Sequence, residues 1–150
     1  MMSGMATDDE TAELAGRLRL SVTRLARQLR QTADSDLSPT QASVLATVSE
    51  GGPLALGELA ELERVASPTI TKVIALLHDK GLVEKTTNPA DRRFVRVSLT
   101  REGEALLERT RARKNAWLAR QLEGLPPEDL ERLAAATEVL EHLTARRAPR

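Results

Sequence analysis

The sequence predicts a mainly α-helical fold that includes one small β-hairpin. Apolar residues recur every three or four positions through most of the 150-residue chain, which is the spacing of amphipathic helices. One segment departs from this pattern, because Val95, Val97 and Leu99 alternate with other residues after the turn-forming run Asn88-Pro89-Ala90-Asp91. Aromatic residues make up only 1% of the chain, so the core is expected to be aliphatic.

Two helices are predicted in the N-terminal part. Residues 1–7 are expected to be a loose terminus, and a long helix follows Asp8-Asp9-Glu10, whose charges suit a helix N-terminus. Ser38-Pro39-Thr40-Gln41 predicts the start of the second helix, since the serine and glutamine can form a capping box. Gly51-Gly52-Pro53 ends it. The first helix carries an apolar stripe of Leu14, Leu18, Val22, Leu25 and Leu29.

A helix-turn-helix is predicted next. Residues 54–56 could form a minimal strand, 57–62 a short helix and 63–66 the turn. The following helix spans 67–80, with Ser67-Pro68 at its capped start, and Gly81 ends it as a left-handed residue would. Its inward-facing side chains are those at helical spacing: Ile70, Val73, Ile74 and Leu77.

The hairpin follows this helix directly. A strand over 82–86, a turn over 88–92 and a strand returning through Leu99 form a hairpin with a long, basic tip. Thr100 can cap a second long helix, and the break at 125–129 starts a last helix that runs through Leu143.

Together these elements predict a winged helix-turn-helix, residues 38–99, with long helices at 8–36 and 100–146 that belong to the same intertwined domain. A compact winged helix does not need such long flanking helices. Because their apolar stripes require a partner surface, we expect them to form a dimerisation region with a second copy of the chain.

Composition excludes several classes of site. The chain has no cysteine, so it has neither disulfides nor thiol-based redox sensing, and its two histidines, His78 and His142, lack ligand spacing. There is no nucleophile–base pair, glycine-rich phosphate loop or convergent carboxylate pair, so we expect no enzyme, cofactor or metal. No apolar run is long enough to span a bilayer and no signal peptide is recognisable, so the expected location is cytoplasmic.

The net charge of zero conceals an uneven distribution. Between Arg64 and Arg101 there are eight basic and three acidic residues, a net charge of +5, so the remainder carries −5. The basic stretch coincides with the predicted helix-turn-helix and hairpin, which favours double-stranded DNA as the partner.

The second helix of the helix-turn-helix is the predicted major-groove reader. Such a helix presents its N-terminal residues to base edges, and hydroxyls, a methyl group and an ammonium suit bases and phosphates. The alternative is an ordinary capped surface helix. The residues concerned are Ser67, Pro68, Thr69, Thr71 and Lys72.

The hairpin tip is the predicted minor-groove reader. Arg92 and Arg93 lie where folding does not need them, and an arginine on a projecting tip suits a narrow, electronegative minor groove. Asp91 can pair with one of them and fix its direction. The alternative is a solvated turn with an incidental salt bridge. Arg64 is added to the DNA-binding set on weaker grounds, since it, like Lys80, Lys85 and Arg96, could either contact phosphate or face solvent.

These motifs resemble the MarR family of transcriptional regulators over nearly the whole chain. The Asp-x-Arg wing followed by Leu-Thr-x-x-Gly is the most specific part of the likeness, and the helix-turn-helix alone is generic. The segments that carry it are Leu56-Gly57-Glu58-Leu59-Ala60, Thr69-Ile70-Thr71-Lys72, Lys80-Gly81-Leu82-Val83-Glu84-Lys85, Asp91-Arg92-Arg93 and Val97-Ser98-Leu99-Thr100 with Gly103.

The resemblance implies a triangular homodimer that binds a near-palindromic operator. By position, Arg93 matches the family's minor-groove arginine and Asp91 its supporting aspartate, while Thr69, Thr71 and Lys72 match the contacting face of the reading helix. Such proteins usually repress genes for drug efflux, stress response or aromatic catabolism. They release DNA when a small phenolic or carboxylate compound binds.

The sequence departs from the family pattern at two positions. Ala55 replaces the serine or threonine that commonly precedes the third helix. Ala66 replaces a serine near the start of the reading helix, so the position at which that helix begins is open by about one residue. The missing cysteines exclude the family's peroxide-sensing branch, and the scarcity of histidine argues against its zinc-sensing branch.

The alternative function is a winged-helix module for proteins or ligands that has lost DNA recognition. The basic residues on both reading elements argue against it.

The sequence assigns no effector site. Arg17, Arg24 and Arg113, on helices expected to line a pocket, could receive a carboxylate or make ordinary surface salt bridges.

Overall fold

The computed structural model describes residues 7–33 and 35–145, which form helices and a three-stranded antiparallel sheet of order β1-β3-β2. The mainly α-helical, winged helix-turn-helix fold class is therefore confirmed. The elements are α1 (Asp8–Ala33), α2 (Pro39–Gly51), β1 (Leu54–Ala55), α3 (Leu56–Glu63), α4 (Ser67–Asp79), β2 (Val83–Asn88), β3 (Asp91–Leu99), α5 (Arg101–Glu123) and α6 (Pro127–Ala145).

The described residues divide into two compact units, one that ends at Lys114 and one that begins at Asn115. The core of the first unit is aliphatic, as the composition predicts, and joins α2, α3, α4 and the sheet. The inward face predicted for α4 is confirmed, since Ile70, Val73, Ile74 and Leu77 are all buried. The largest fully buried side chains are Leu45, Leu59, Ile70, Ile74, Leu77, Val44, Val48, Val83 and Val97.

Capping boxes open the first two helices. At α2, the Gln41 N–H donates to Ser38 Oγ (3.2 Å) and the Ser38 N–H donates to Gln41 Oε1 (3.1 Å), as predicted. At α1, Thr7 and Glu10 form the same reciprocal pair at 3.3 and 3.0 Å. The prediction that Thr7 belongs to a loose terminus is therefore wrong, because its hydroxyl satisfies a helix N–H. Residues 1–6 lie outside the described part of the chain.

The start of α4 is one residue earlier than the Ser67 cap expected from the sequence. Ala66 is the N-cap, with an extended backbone, and its carbonyl accepts from the N–H groups of Thr69 (3.0 Å) and Ile70 (3.2 Å). Ser67 is therefore the first helical residue. Since alanine offers no side-chain acceptor, the first turn of α4 has no side-chain cap. Leu56 likewise begins α3 instead of extending β1.

The hairpin turn is shorter than predicted, and β3 is irregular beside it: Thr87 pairs with Val95 and Asn88 with Asp91, so residues 92–94 form a bulge between these two pairs. Asn88 pairs with Asp91, so the connection between β2 and β3 is only Pro89-Ala90, and the expected long tip over 88–92 is wrong. Asn88 Oδ1 accepts from the Ala90 N–H (3.0 Å), and this local bond replaces a longer loop. Arg92 and Arg93 consequently belong to β3 and not to the turn.

Thr100 joins the end of α4, the end of β3 and the start of α5. Its Oγ1 donates to the Gly81 carbonyl (2.6 Å) and accepts from the Gly103 N–H (3.1 Å), and its own N–H donates to the Leu82 carbonyl (3.1 Å). Gly81 has φ +75°, as its predicted left-handed role requires. At Gly103 an added Cβ would lie 2.2 Å from the Leu82 carbonyl oxygen, so only glycine fits. The Leu-Thr-x-x-Gly motif thus packs the end of β3 and the start of α5 closely against the residues that follow α4, an arrangement that we call the packing joint.

The second unit contains the end of α5 and all of α6. Trp117 is half-buried, and Arg146, the end of the predicted flanking region, lies outside the described residues. Several large apolar side chains of α6 are exposed: Leu130, Leu133, Val139 and Leu143.

Candidate nucleic-acid interface

The N-terminal face of α4 presents the five residues predicted to read the major groove. Ser67, Pro68, Thr69, Thr71 and Lys72 are all exposed, whereas the opposite face of the helix is buried in the core. The Thr71 hydroxyl donates to the Ser67 carbonyl (3.0 Å), which leaves its oxygen lone pairs and methyl group for a partner. The uncapped first turn also directs backbone N–H groups outward, a feature that suits phosphate.

The turn before α4 is fixed by contacts that sequence reasoning missed. The Glu63 carboxylate accepts from the hydroxyls of Ser43 (2.8 Å) and Thr47, both on α2, and so ties the end of α3 to α2. Arg64 follows in the left-handed conformation at φ 55°, with its N–H directed at the Ala60 and Glu61 carbonyls and its side chain exposed. This geometry sets the direction in which α4 leaves the turn.

The wing holds an arginine in a fixed orientation. Arg93 Nε donates to Asp91 Oδ1 and Arg93 Nη2 donates to Asp91 Oδ2, both at 2.9 Å, so the contact is bidentate. The Arg93 backbone N–H also donates to Asp91 Oδ1 (3.1 Å). The Arg93 side chain is nevertheless 87% exposed. The predicted pairing of Asp91 with one of the two arginines is found for Arg93.

The same contacts shift both ionisation equilibria. The hydrogen bonds from the Arg93 side chain, and to a smaller extent the bond from its backbone N–H, hold the pKa of Asp91 below its ordinary value of 3.8. The Asp91 carboxylate raises the pKa of Arg93 above its ordinary value. Both groups are thus charged at neutral pH, and the guanidinium keeps N–H donors that the aspartate does not engage.

The remaining predicted cations fall into two groups. Lys80, Lys85 and Arg96 are exposed on the first unit. Arg92 lies in β3, but its side chain is outside the described residues.

The three arginines considered for an effector do not converge. Arg113 donates to the Ala33 carbonyl at the end of α1 (3.2 Å). Arg24 and Arg17 lie 9 and 16 residues before Ala33 in α1, roughly 14 and 24 Å along the helix at about 1.5 Å per residue. Within a single chain these three side chains therefore do not form one carboxylate site.

Comparison with known proteins identifies the family. A family model described as the MarR family matches residues 37–95, which span the helix-turn-helix and most of the wing. An uncharacterized HTH-type transcriptional regulator of Mycobacterium bovis is 38% identical over 133 residues, covering 88% of this chain and 93% of the relative. The chain belongs to the MarR family. The HTH-type transcriptional repressor MdtR of Bacillus subtilis is 35% identical over 69% of this chain and 67% of its own length.

Solved structures agree with this MarR assignment. A putative transcriptional regulator of Pseudomonas aeruginosa superposes with a TM-score of 0.82 at 34% identity, covering 92% of this chain and 97% of that one. A mutant of MarR from E. coli gives a TM-score of 0.72 at 26% identity, over 83% and 94%. A mutant of MepR from S. aureus, bound to an oligodeoxyribonucleotide, shares the fold with a TM-score of 0.68 at 19% identity, over 87% and 97%.

Membership of the MarR family confirms that the protein is a winged-helix, DNA-binding transcriptional regulator and that it is not an enzyme, as the sequence predicts.

The described helices do not have the character of a bilayer span. Among residues 7–33 and 35–145, no helix combines the length and apolarity needed to cross a bilayer.

Proposed function

We propose that the protein is a homodimeric, sequence-specific repressor whose wing and reading helix contact a near-palindromic operator. The observation that carries this proposal is the bidentate Asp91–Arg93 pair, which directs an exposed guanidinium from a projecting hairpin. A guanidinium that a carboxylate holds in one orientation suits the electronegative floor of a minor groove. MdtR is named a repressor, which supports the proposed repression, and the structure of MepR contains DNA, which supports the proposed binding to DNA.

The contact set combines two elements of the first unit. In the proposed complex α4 lies in the major groove with Ser67, Pro68 and Thr69 foremost, and the Thr71 and Lys72 side chains reach bases or phosphate. The wing places Arg93 in the adjacent minor groove, where Arg92 is proposed as a second contact. Arg64, in the turn before α4, contacts phosphate.

Dimerisation uses the helices at 8–36 and 100–146. In α1 the stripe predicted from the sequence is largely exposed in a single chain, with Leu14 61% and Val22 49% accessible. In α6 Leu133 and Val139 are exposed at 44% and 59%. Because these side chains are about half exposed, covering each one would contribute on the order of 1 kcal/mol, which favours association with a second copy.

An effector cavity is proposed where α1, α2 and α5 approach one another within the first unit. Two hollows of about 190 and 100 Å³ share the lining residues Ala33, Ser35, Leu37, Ala42 and Lys114. The smaller hollow has a largely apolar further wall that includes Leu45, Leu106 and Leu107, whereas Arg30 and Gln31 border the larger one. Arg30 and Arg111 add positive charge beside Lys114. An apolar space with a cationic edge suits an aromatic carboxylate or phenol.

Selection from a random pool of DNA duplexes tests the DNA-binding part. We expect enrichment of a near-palindromic site with half-sites one helical turn apart, bound by a dimer in sedimentation equilibrium. Failure to enrich any duplex would instead favour a winged-helix module without DNA recognition. For the effector, we expect benzoate to raise the unfolding temperature of the parent and to raise it less in Lys114→Gln, because ligand binding stabilises the folded state.

A further inference from the structure

Phe94 is the one phenylalanine of the chain, and it is 61% exposed in β3. Its neighbour two positions on, Arg96, is also exposed, whereas Val97 is fully buried. Phe94 and Arg96 both line the same two surface hollows, so their side chains point away from the core together. Thr86 of β2 is paired with Arg96. We call Phe94, Arg96 and Thr86 the outer face of the wing.

The outer face separates two hollows. One, of about 640 Å³, is lined by Thr86, Thr87, Asn88, Phe94 and Arg96, and none of these residues is acidic. The other, of about 500 Å³, lies toward the start of α3, and Arg93, Phe94, Val95 and Arg96 line one side of it. The aromatic ring and the guanidinium of Arg96 therefore form a ridge that is accessible from both sides.

A single exposed apolar residue is common on protein surfaces and would mean little alone. Phe94, however, directly follows Arg93 and is followed at two positions by a second cation. An apolar ring, a guanidinium and a hydroxyl on one face match the chemistry of a sugar–phosphate backbone, in which apolar deoxyribose alternates with anionic phosphate. The surface is also continuous with the Asp91–Arg93 contact of the wing.

We propose that the outer face of the wing is a second DNA contact, in which the Phe94 ring packs on deoxyribose at the rim of the minor groove. Arg96 and Thr86 bond to the phosphates on either side. Phe94 lines the hollow beside Thr86, Thr87 and Asn88, and Arg93 does not, so the two side chains meet different parts of the groove. This inference rests on the proposed function, because it assumes that the wing enters DNA.

The distinctive consequence is a component of affinity that does not depend on salt. Neutralising a phosphate releases counterions, whereas packing a ring on a sugar does not. Loss of Phe94 should therefore weaken binding at every salt concentration by the same factor, and loss of Arg96 should weaken it most at low salt.

Fluorescence anisotropy with the duplex selected above, measured between roughly 50 and 200 mM salt, tests this. We expect Phe94→Ala to weaken binding about tenfold with an unchanged salt slope, and Phe94→Trp to restore it. Arg96→Ala should weaken binding and reduce the slope by about one. Leu62→Ala is the matched control, since Leu62 is an exposed apolar residue of α3, 46% accessible, outside the proposed contact set; it should bind as the parent does. Thermal unfolding of each variant confirms that it is folded.

Two results overturn the inference. If Phe94→Ala and Arg96→Ala bind as tightly as the parent while Arg93→Ala binds more weakly, the wing enters DNA but its outer face does not touch it. If Arg93→Ala also binds as tightly as the parent, the assumed placement of the wing fails as well, and the two failures are thereby distinguished.

Discussion

The guanidinium of Arg93 and the carboxylate of Asp91, two positions apart in β3, face each other through two parallel bonds of 2.9 Å. Because Arg93 is almost fully exposed, this pair adds little to the stability of the fold. Its physical effect is to restrict the rotamers of a long, flexible cation before a partner arrives. Less conformational entropy is then lost when the cation binds.

The ionisation of Asp91 provides a direct test of this pair. We expect the carboxyl resonance of Asp91 to titrate below 3.8 in the parent, and closer to 3.8 in Arg93→Gln, because the guanidinium lowers the pKa by stabilising the carboxylate. A lowered folded-state pKa stabilises the protein above the unfolded-state pKa, and this contribution is lost as the pH falls through the folded-state value. Carboxyl-carbon NMR would measure both values. Equal values in parent and variant would show that the pair does not form in solution.

Gly103 is predicted to be irreplaceable by alanine. An added Cβ would meet the Leu82 carbonyl oxygen at 2.2 Å, and both neighbouring backbones are held by Thr100. We expect Gly103→Ala to lower the free energy of unfolding by about 1–3 kcal/mol, measured by urea denaturation. Gly57→Ala is the control, because an added Cβ there meets nothing within 4 Å. A Gly103→Ala protein as stable as the Gly57→Ala protein would contradict the packing joint.

Arg64 allows stability and DNA binding to be separated. Its φ of 55° is unfavourable for arginine, so Arg64→Gly should be as stable as the parent or more stable by about 1 kcal/mol. The same change removes the proposed phosphate contact, so binding to the selected duplex should weaken and the salt slope should fall by about one. Arg64→Lys should retain most of the affinity. Unchanged binding by Arg64→Gly would restrict the role of this residue to the turn.

Local signals account for the elements that were predicted correctly. The Ser38–Gln41 box, the Gly81 helix end and the Thr100 cap each depend on residues within a few positions, and each is found. The Thr7–Glu10 box was missed although the same pattern is present in the sequence. At the hairpin, the number of turn-forming residues suggested a longer loop than the two-residue connection that Asn88 stabilises.

Contacts between distant residues account for what the sequence could not predict. Glu63 meets Ser43 and Thr47 across 20 and 16 positions, and no local pattern indicates that meeting. The left-handed backbone at Arg64 is imposed by the turn, since the residue is neither glycine nor asparagine. The exposure of Phe94 also depends on how the sheet pairs, because Phe94 lies in the bulge between the Thr87–Val95 and Asn88–Asp91 pairs.

The binding of Arg93→Ala to the selected duplex tests the central claim most directly. Anisotropy titrations of parent and variant at several salt concentrations, with folding verified by circular dichroism, give both affinity and salt slope. We expect a loss of about 1–3 kcal/mol in binding free energy and a smaller slope, with an unchanged free energy of unfolding. A variant that binds its operator as tightly as the parent, with the same slope, would show that the braced arginine of the wing does not read DNA.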